Sequence, residues 1–181
     1  MNIVPFDNES DSLKIELAHL LEVCFPDAYG GTAAEETARL LKDDRIALAA
    51  MDDGRLAGFI GAIPNYGVTG WELHPLAVFP KHQRNGVGKA LASALEQEVQ
   101  KRGGITLYLG TDDEFGKTSL ADVDLYDRLW ERIVNIQNMK QHPYEFYQKQ
   151  GYRIVGVLPD VNGFGKPDIY MAKRLVPFPG K

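Results

Sequence analysis

Cysteine is nearly absent from the 181-residue sequence, in which Cys24 is the only one. A lone cysteine cannot form an intramolecular disulfide, and no zinc site can be built from cysteines, so we expect a reducing compartment and no metal. Because the residues around Cys24 are mostly apolar, a buried hydrophobic role is predicted for it rather than a nucleophilic one.

Long apolar runs are also absent. The longest stretches, such as 46–51, are far shorter than the roughly 20 residues that cross a bilayer as a helix. Residues 1–13 contain three acidic side chains and no apolar core, a pattern unlike a secretory signal peptide. These absences predict a cytoplasmic protein without a membrane partner.

The sequence has no excess of basic charge, since 20 Lys and Arg stand against 25 Asp and Glu, for a formal net charge of −5. Nucleic acids select basic surfaces, so a nucleic-acid partner is disfavoured. The acidic balance suits a cationic ligand, although the same net charge also serves solubility alone. The length and the 44% hydrophobic content predict a single domain over residues 1–181.

Hydrophobic periodicity and turn signals predict seven strands and five helices. Strands are predicted at 3–6, 46–51, 56–62, 70–79, 105–110, 152–158 and 168–173, and helices at 12–23, 32–41, 86–102, 122–136 and 143–150. Thr32 and Glu35 match a capping box. Pro75 inside a strand predicts a bulge or a sheet edge, because proline cannot donate to the ladder. The order of elements predicts an α+β or α/β fold, a mixed sheet with helices on its faces.

The glycine-containing segment 83–89 lies between a predicted strand and an amphipathic helix. Its glycines let backbone N–H groups turn inward, and the positive end of the following helix suits a pyrophosphate. The spacing matches neither the dinucleotide-binding Gly-x-Gly-x-x-Gly pattern nor the phosphate loop Gly-x-x-x-x-Gly-Lys-[Ser/Thr], since Ala90 follows Lys89. A plain glycine-rich helix entry is the structural alternative. The candidate cofactor-binding residues are Gln83, Arg84, Asn85, Gly86, Val87, Gly88 and Lys89.

The Gln-x-x-Gly-x-Gly pattern at 83–88 resembles the acetyl-CoA signature of the GNAT acetyltransferase superfamily, and 144–152 resembles the superfamily's Phe-Tyr-x-Lys-x-Gly-Phe segment. The segments that resemble aminoglycoside 6'-N-acetyltransferases are 58–64, 70–76, 103–105, 109–113 and 142–147. The resemblance implies a GNAT-like fold, a mixed, mostly antiparallel twisted sheet with helices on both faces and a splayed central strand pair. It also implies a homodimer that acetylates aminoglycosides with acetyl-CoA and thereby gives antibiotic resistance.

The resemblance implies roles for three side chains in acetyl transfer. Glu72 is the candidate base that takes a proton from the substrate ammonium, with a solvated or salt-bridged carboxylate as the alternative. Tyr147 is the candidate proton donor to the CoA thiolate, with core packing as the alternative. His74 is a candidate for orienting Glu72 or a water, or else a structural histidine. The backbone N–H groups expected to reach the thioester and pantetheine belong to Leu76, Ala77 and Val78.

A polycationic aminoglycoside requires acidic and aromatic contacts. The candidate substrate-binding residues are Phe25, Tyr66, Trp71, Glu72, Asp112, Asp113 and Glu114. Each acid has a solvated surface position as its alternative, and each aromatic side chain has the core. Phe115 stands where the related enzymes carry another acid, so the substrate contacts of this chain are expected to differ from theirs.

Two other functions fit the same residues. The chain could acetylate another cationic amine, such as a polyamine or a basic protein, with the same base and the same donor. It could also be a non-catalytic acyl-CoA-binding module, which would keep segment 83–89 but would require neither Glu72 nor Tyr147. The presence of both residues favours an enzyme.

Overall fold

The computed structural model describes residues 1–180, which form seven strands and six α-helices. The strands are β1 (Asn2–Pro5), β2 (Ile46–Asp52), β3 (Arg55–Tyr66), β4 (Gly70–Val78), β5 (Thr106–Asp112), β6 (Arg153–Leu158) and β7 (Asp168–Arg174). The helices are α1 (Asp11–Cys24), α2 (Pro26–Tyr29), α3 (Ala33–Leu40), α4 (Val87–Lys101), α5 (Leu129–Val134) and α6 (Tyr144–Lys149), with a 3-10 turn at Pro80–His82. No helix in the described range is both long and apolar enough to cross a membrane.

Internal contacts divide the chain into two compact units. The first is Met1–Leu107 together with the chain from Leu175 onward, and the second is Tyr108–Arg174. In the first unit β1, β2, β3 and β4 follow one another, each antiparallel to the next. In the second unit the strand order is β5, β7, β6, and β6 and β7 are antiparallel. This mixed, mostly antiparallel architecture confirms the predicted fold class, whereas the splayed central strand pair and the single domain stay predictions.

Helices cover both faces of the sheet in the first unit. Phe59 belongs to a buried cluster with Leu17 and Leu21 of α1, while a side chain added at the preceding Gly58 would meet Leu91 of α4. Successive strand residues point to opposite faces, so α1 and α4 lie on opposite sides of β3. Each fully buried leucine in this core contributes roughly 1.5–3 kcal/mol.

An extra residue in β4 interrupts its pairing with β3. The register shifts where β3 contributes one residue, Gly61, and β4 contributes two, His74 and Pro75. This is the bulge that the proline predicted. A side chain on Gly61 would place its Cβ 2.6 Å from the His74 carbonyl oxygen, so only glycine fits this close approach.

The bulge decides which side of the sheet each β4 side chain occupies. Residues paired directly across an antiparallel ladder share a face. Glu72 lies opposite Ile63, which by alternation shares the α1 side of β3 with Phe59. Leu76 lies opposite Ile60, on the α4 side. Without the extra residue, positions 72 and 76 would share one face.

The start of α3 differs from the prediction. Thr32 precedes the helix, but its side chain makes no capping hydrogen bond, so the predicted capping box is wrong. Its backbone, at φ −123° and ψ 4°, lies outside the extended region from which a capping hydroxyl reaches the first helical N–H groups. Glu35 instead lies 3.8 Å from Arg39 in an i,i+4 ion pair.

The predicted helix at 122–136 is wrong over its first half, and α5 covers only part of the second. Asp122 and Arg128 both have φ of +57°, a left-handed conformation that does not continue a right-handed helix. Between them, Asp124 Oδ1 accepts the Tyr126 N–H at 3.0 Å, a local turn that competes with helical hydrogen bonding.

Replacing Gly61 by alanine tests the bulge. We expect Gly61→Ala to lower the free energy of unfolding by about 1–3 kcal/mol, because the added methyl group must displace the His74 carbonyl. Gly156→Ala in β6 is the matched control, since no atom lies within 4 Å of the methyl that it adds. Urea unfolding measures both variants, and equal midpoints would contradict the packing constraint at Gly61.

Candidate active site

Glu72 lies near the start of β4, half-buried on the α1 side. A second bulge places two residues of β3, Pro64 and Asn65, opposite the single residue Trp71. Asn65 Nδ2 donates a hydrogen bond of 2.5 Å to Glu72 Oε2. Within residues 1–180 Glu72 takes part in no ion pair, so an amide orients the carboxylate and leaves Oε1 as an acceptor.

His74 is held by groups from α2 and α3. Its Nε2 lies 3.2 Å from the Tyr29 hydroxyl and 3.7 Å from Glu36 Oε1, and Glu36 in turn lies 3.2 Å from Arg39. None of the contacts that His74 makes in the described chain is to Glu72, so a role in orienting Glu72 stays a prediction. Glu36 is not among the predicted site residues, because a contact between residues so distant in sequence leaves no local pattern.

The loop at 83–86 leads into an open N-terminus of α4. Arg84 and Gly86 have φ of +62° and +82°, and the helix starts at Val87 with no side-chain cap. A side chain on Gly86 would meet no atom within 4 Å, so the approach to the first N–H groups of α4 is open. Uncapped N–H groups at the positive end of a helix suit a diphosphate.

Gln83 ties this loop to the end of β4. Its Nε2 donates to the Val78 carbonyl oxygen at 2.9 Å, and Cys24 Sγ donates to the same oxygen at 3.4 Å. Gln83 therefore shapes the loop through the backbone of β4. Burial raises the pKa of the Cys24 thiol above its ordinary value, although its bond to Val78 opposes the shift, so the thiol stays neutral and unreactive at neutral pH.

The acidic residues at the end of β5, in the second unit, have different surroundings. Asp112 is exposed, and its Oδ1 accepts from Asn162 Nδ2 at 2.5 Å. Asp113 is fully buried, and its carboxylate accepts from the Lys117 N–H at 2.6 Å and from the Thr118 N–H and hydroxyl at 2.7 Å each. Asp113 thus closes its own loop, and Asp112 is the one that faces solvent.

Glu114 and Phe115 follow in the same loop. Glu114 is half-buried, and Phe115 is 62% exposed with Lys117 Nζ 5.6 Å from its ring centre. At this exposed position the chain therefore presents an aromatic ring beside an ammonium group. Among residues 1–180, no group of three or more His, Cys, Asp or Glu side chains is arranged to hold a metal ion.

Tyr147 lies in the short helix α6 of the second unit. Its ring packs edge-on against those of Phe146 and Tyr152, with centroids 5.1 and 5.7 Å away. Burial raises the pKa of the Tyr147 hydroxyl above its ordinary value, so the hydroxyl is protonated at neutral pH. The ring therefore packs in the core, as the structural alternative held, and the hydroxyl is in the form that a proton donor requires.

The aromatic candidates of the first unit differ in exposure. Trp71 is 4% exposed, and its Nε1 donates to the Val68 carbonyl at 2.9 Å, which favours the core alternative for Trp71. Tyr66 is 72% exposed. Phe25 is half-buried, with its ring centroid 5.7 Å from that of Tyr29. Of the three candidates, Tyr66 has the ring that is open to solvent.

The chain is similar over most of its length to a known protein family and to several solved structures. Residues 14–129 match the acetyltransferase (GNAT) family. The aminoglycoside 6'-N-acetyltransferase from Enterococcus faecium is 51% identical, with 99% of each chain covered and a TM-score of 0.95. An aminoglycoside 6'-N-acetyltransferase complexed with coenzyme A is also 51% identical, with 99% of each chain covered and a TM-score of 0.97. An aminoglycoside 6'-acetyltransferase type Ii is 46% identical, with 99% of this chain and 100% of that one covered and a TM-score of 0.80. A search of curated protein sequences gave no match.

Replacing Asp112 and Asp113 separately by alanine tests whether Asp113 holds the loop while Asp112 only faces solvent. Asp113→Ala leaves two backbone N–H groups and a hydroxyl without their acceptor, so we expect the free energy of unfolding to fall by about 2–3 kcal/mol. Asp112→Ala removes an exposed carboxylate and should cost about 0.5 kcal/mol or less. Urea unfolding measures both, and an equal loss in the two variants would show that Asp113 does not close the loop.

Proposed function

Because the chain belongs to the acetyltransferase (GNAT) family, we propose that it transfers the acetyl group of acetyl-CoA to the 6'-amino group of aminoglycosides. The observation that carries this proposal is 51% identity, over 99% of both chains, to two aminoglycoside 6'-N-acetyltransferases. Acetylation turns an ammonium group into a neutral amide and removes one positive charge from the drug. That loss weakens its attraction to any anionic target, so resistance to the antibiotic is the proposed consequence.

Acetyl-CoA supplies the acetyl group, and the open N-terminus of α4 fits its diphosphate. The first N–H groups of a helix have no partner within the helix, so they donate to the phosphate oxygens. These N–H groups belong to Val87, Gly88 and Lys89. The exposed side chains of Arg84, Asn85 and Lys89 line the same loop. Backbone N–H groups at 76–78 are the proposed contacts of the thioester oxygen and the pantetheine arm.

Glu72 is the proposed general base. Its Oε1 takes a proton from the 6'-ammonium group, so that the nitrogen lone pair attacks the thioester carbon. The new C–N bond forms, the C–S bond breaks, and the sulfur leaves as a thiolate. Tyr147 gives its hydroxyl proton to that sulfur, and the nitrogen loses its second proton as it becomes a neutral amide. That proton returns through solvent to the phenolate left on Tyr147. The hydrogen bond from Asn65 to Oε2 and the protonated state of the buried Tyr147 hydroxyl support these two roles.

Two acids and one exposed ring are the main proposed contacts of the substrate. Asp112 and Glu72 are the acids proposed to pair with ammonium groups of the aminoglycoside. Tyr66, with most of its ring exposed, is proposed to stack on a sugar. Phe25 and Glu114, both half-buried, are further proposed contacts at the edge of the bound substrate.

We also propose that the protein is a homodimer in the cytoplasm. Large apolar side chains are exposed in the second unit, including Trp130 at 69% and Phe164 at 93%, and surfaces of this kind are commonly covered by association. Sedimentation equilibrium should give about twice the 20.2 kDa chain mass. The mass of a single chain at micromolar concentration would show that the protein is not a dimer.

The proposed location in the cytoplasm rests on the lone cysteine, which suits a reducing compartment. Cell fractionation tests that location.

Release of CoA from acetyl-CoA in the presence of kanamycin tests the function. We expect release that depends on kanamycin, and a product with one acetyl group on the 6' nitrogen by mass spectrometry and NMR. A panel that adds spermidine and a histone ranks other amines by kcat/KM. If CoA binds but kanamycin causes no release, the substrate is another amine. If no amine causes release, the chain is an acyl-CoA-binding module without activity.

The same assay tests the two side chains. Glu72→Gln keeps the shape of the base but cannot take the proton, and Tyr147→Phe keeps the packed ring but has no proton to give. We expect each to lower kcat by about 100-fold. Tyr144→Phe, in the same helix and also buried, is the matched control and should stay near wild type. An unchanged kcat in Glu72→Gln would remove Glu72 as the base.

A further inference from the structure

His142 is 2% exposed and lies just before α6, in the second unit. Its ring takes part in two hydrogen bonds: Nε2 lies 3.1 Å from the Asp112 carbonyl oxygen, and the Tyr144 N–H donates to Nδ1 at 3.2 Å. A backbone N–H can only donate and a carbonyl can only accept, so Nδ1 has the lone pair and Nε2 has the hydrogen. The ring is therefore held as the neutral Nε2–H tautomer.

The backbone of His142 is fixed by a second residue. Asn138 Oδ1 accepts the His142 N–H at 2.7 Å, and Asn138 Nδ2 donates to the His142 carbonyl at 3.0 Å. The ring of Tyr144 also lies 5.7 Å from the His142 ring, measured between centroids. With its backbone and both ring nitrogens engaged, His142 has little freedom to move relative to its partners.

The two hydrogen bonds of the His142 ring connect β5 and α6, which have different roles in the proposed function. Asp112 is the last residue of β5 and the exposed acid of its loop. Tyr144 is the first residue of α6, and Tyr147 lies one helical turn further along. Because α6 has only six residues, its own hydrogen bonds contribute little, and its position depends on what holds its first turn.

We infer that His142 is a positioning residue for acetyl transfer, whose Nε2–H sets the end of β5 that carries Asp112 and whose Nδ1 sets the first turn of α6 that carries Tyr147. This inference rests on the proposed function for the roles of Asp112 and Tyr147. The bond to Asp112 acts on substrate binding, and the bond to Tyr144 acts on proton transfer, so the two nitrogens of one ring affect separable steps.

The surroundings of His142 favour its neutral form. Burial lowers the pKa of His142 below its ordinary value and outweighs the opposing effects of the Asp112 carbonyl and of the Asp113 and Asp112 carboxylates, while the Lys117 ammonium lowers the pKa further. Since the folded pKa lies below the unfolded value of about 6.5, the neutral ring contributes its full stability above that pH and loses it as the pH falls. Both ring bonds therefore persist at neutral pH.

Two substitutions separate the two bonds. His142→Asn places an amide oxygen near the position of Nδ1, so it keeps the acceptor for the Tyr144 N–H and loses the donor to Asp112. His142→Gln places an amide nitrogen near the position of Nε2, so it keeps that donor and loses the acceptor. His19, an exposed histidine of α1, is changed to Asn and to Gln as the matched control.

Steady-state kinetics and hydrogen–deuterium exchange give the readouts. We expect His142→Asn to raise KM for kanamycin about 5- to 10-fold with kcat within about twofold, and His142→Gln to lower kcat about 5- to 10-fold with that KM within about twofold. Exchange, which needs no substrate, should speed up around 112–118 in His142→Asn and around 144–149 in His142→Gln. The His19 variants should match wild type in every measurement.

Three results would overturn the inference: equal changes in KM and kcat from both His142 variants, wild-type behaviour in both, or loss of exchange protection throughout 108–174 in both. Each would mean that the ring does not set two separate elements. Failure of the proposed function looks different, because wild-type enzyme would then release no CoA with kanamycin. In that case the exchange pattern alone decides whether His142 positions the end of β5 and the start of α6.

Discussion

The His74 carbonyl oxygen lies 2.6 Å from the position that a Cβ on residue 61 would take, and the arrangement of the candidate site in the first unit depends on the glycine that permits this close approach. The close approach lets β4 carry one residue more than β3 at this point. The surplus residue resets the alternation of side chains, so Glu72 faces the α1 side and Leu76 the α4 side. A strand without the bulge would present both on one face.

A second constraint, in the other unit, is the satisfaction of buried polar groups. Asp113 is fully buried and accepts three hydrogen bonds from its own loop, whereas its neighbour Asp112 is exposed. His142 joins the Asp112 carbonyl to the first turn of α6 as a neutral ring. Buried networks of this kind are costly when incomplete and rigid when complete. Of the two adjacent acids, Asp113 is buried and holds the loop, whereas Asp112 faces solvent.

Much of the fold follows from local pattern. The apolar stripe of α4, the glycine-containing loop before it and the alternating strands were all predictable, because period and turn chemistry act over a few residues. The bulge at Pro75 was predictable for the same reason, because proline cannot donate a backbone hydrogen bond to the ladder. The helix predicted at 122–136 failed because left-handed backbone at Asp122 and Arg128 leaves no mark on hydrophobic spacing. The capping box at Thr32 failed because the backbone there lies outside the extended region that a capping residue adopts.

The sequence by itself determined the fold class, the order of the seven strands, the position of the open helix N-terminus and the acid on β4, since each depends on residue types at short spacing. Only the tertiary structure decided how these residues are used. It oriented Glu72 through Asn65 across a second bulge, turned His74 toward Tyr29 and Glu36, and buried Trp71 while leaving Tyr66 exposed. The physical reason is that burial and hydrogen-bond partners depend on residues brought together from distant parts of the chain, and local sequence does not encode which partners meet.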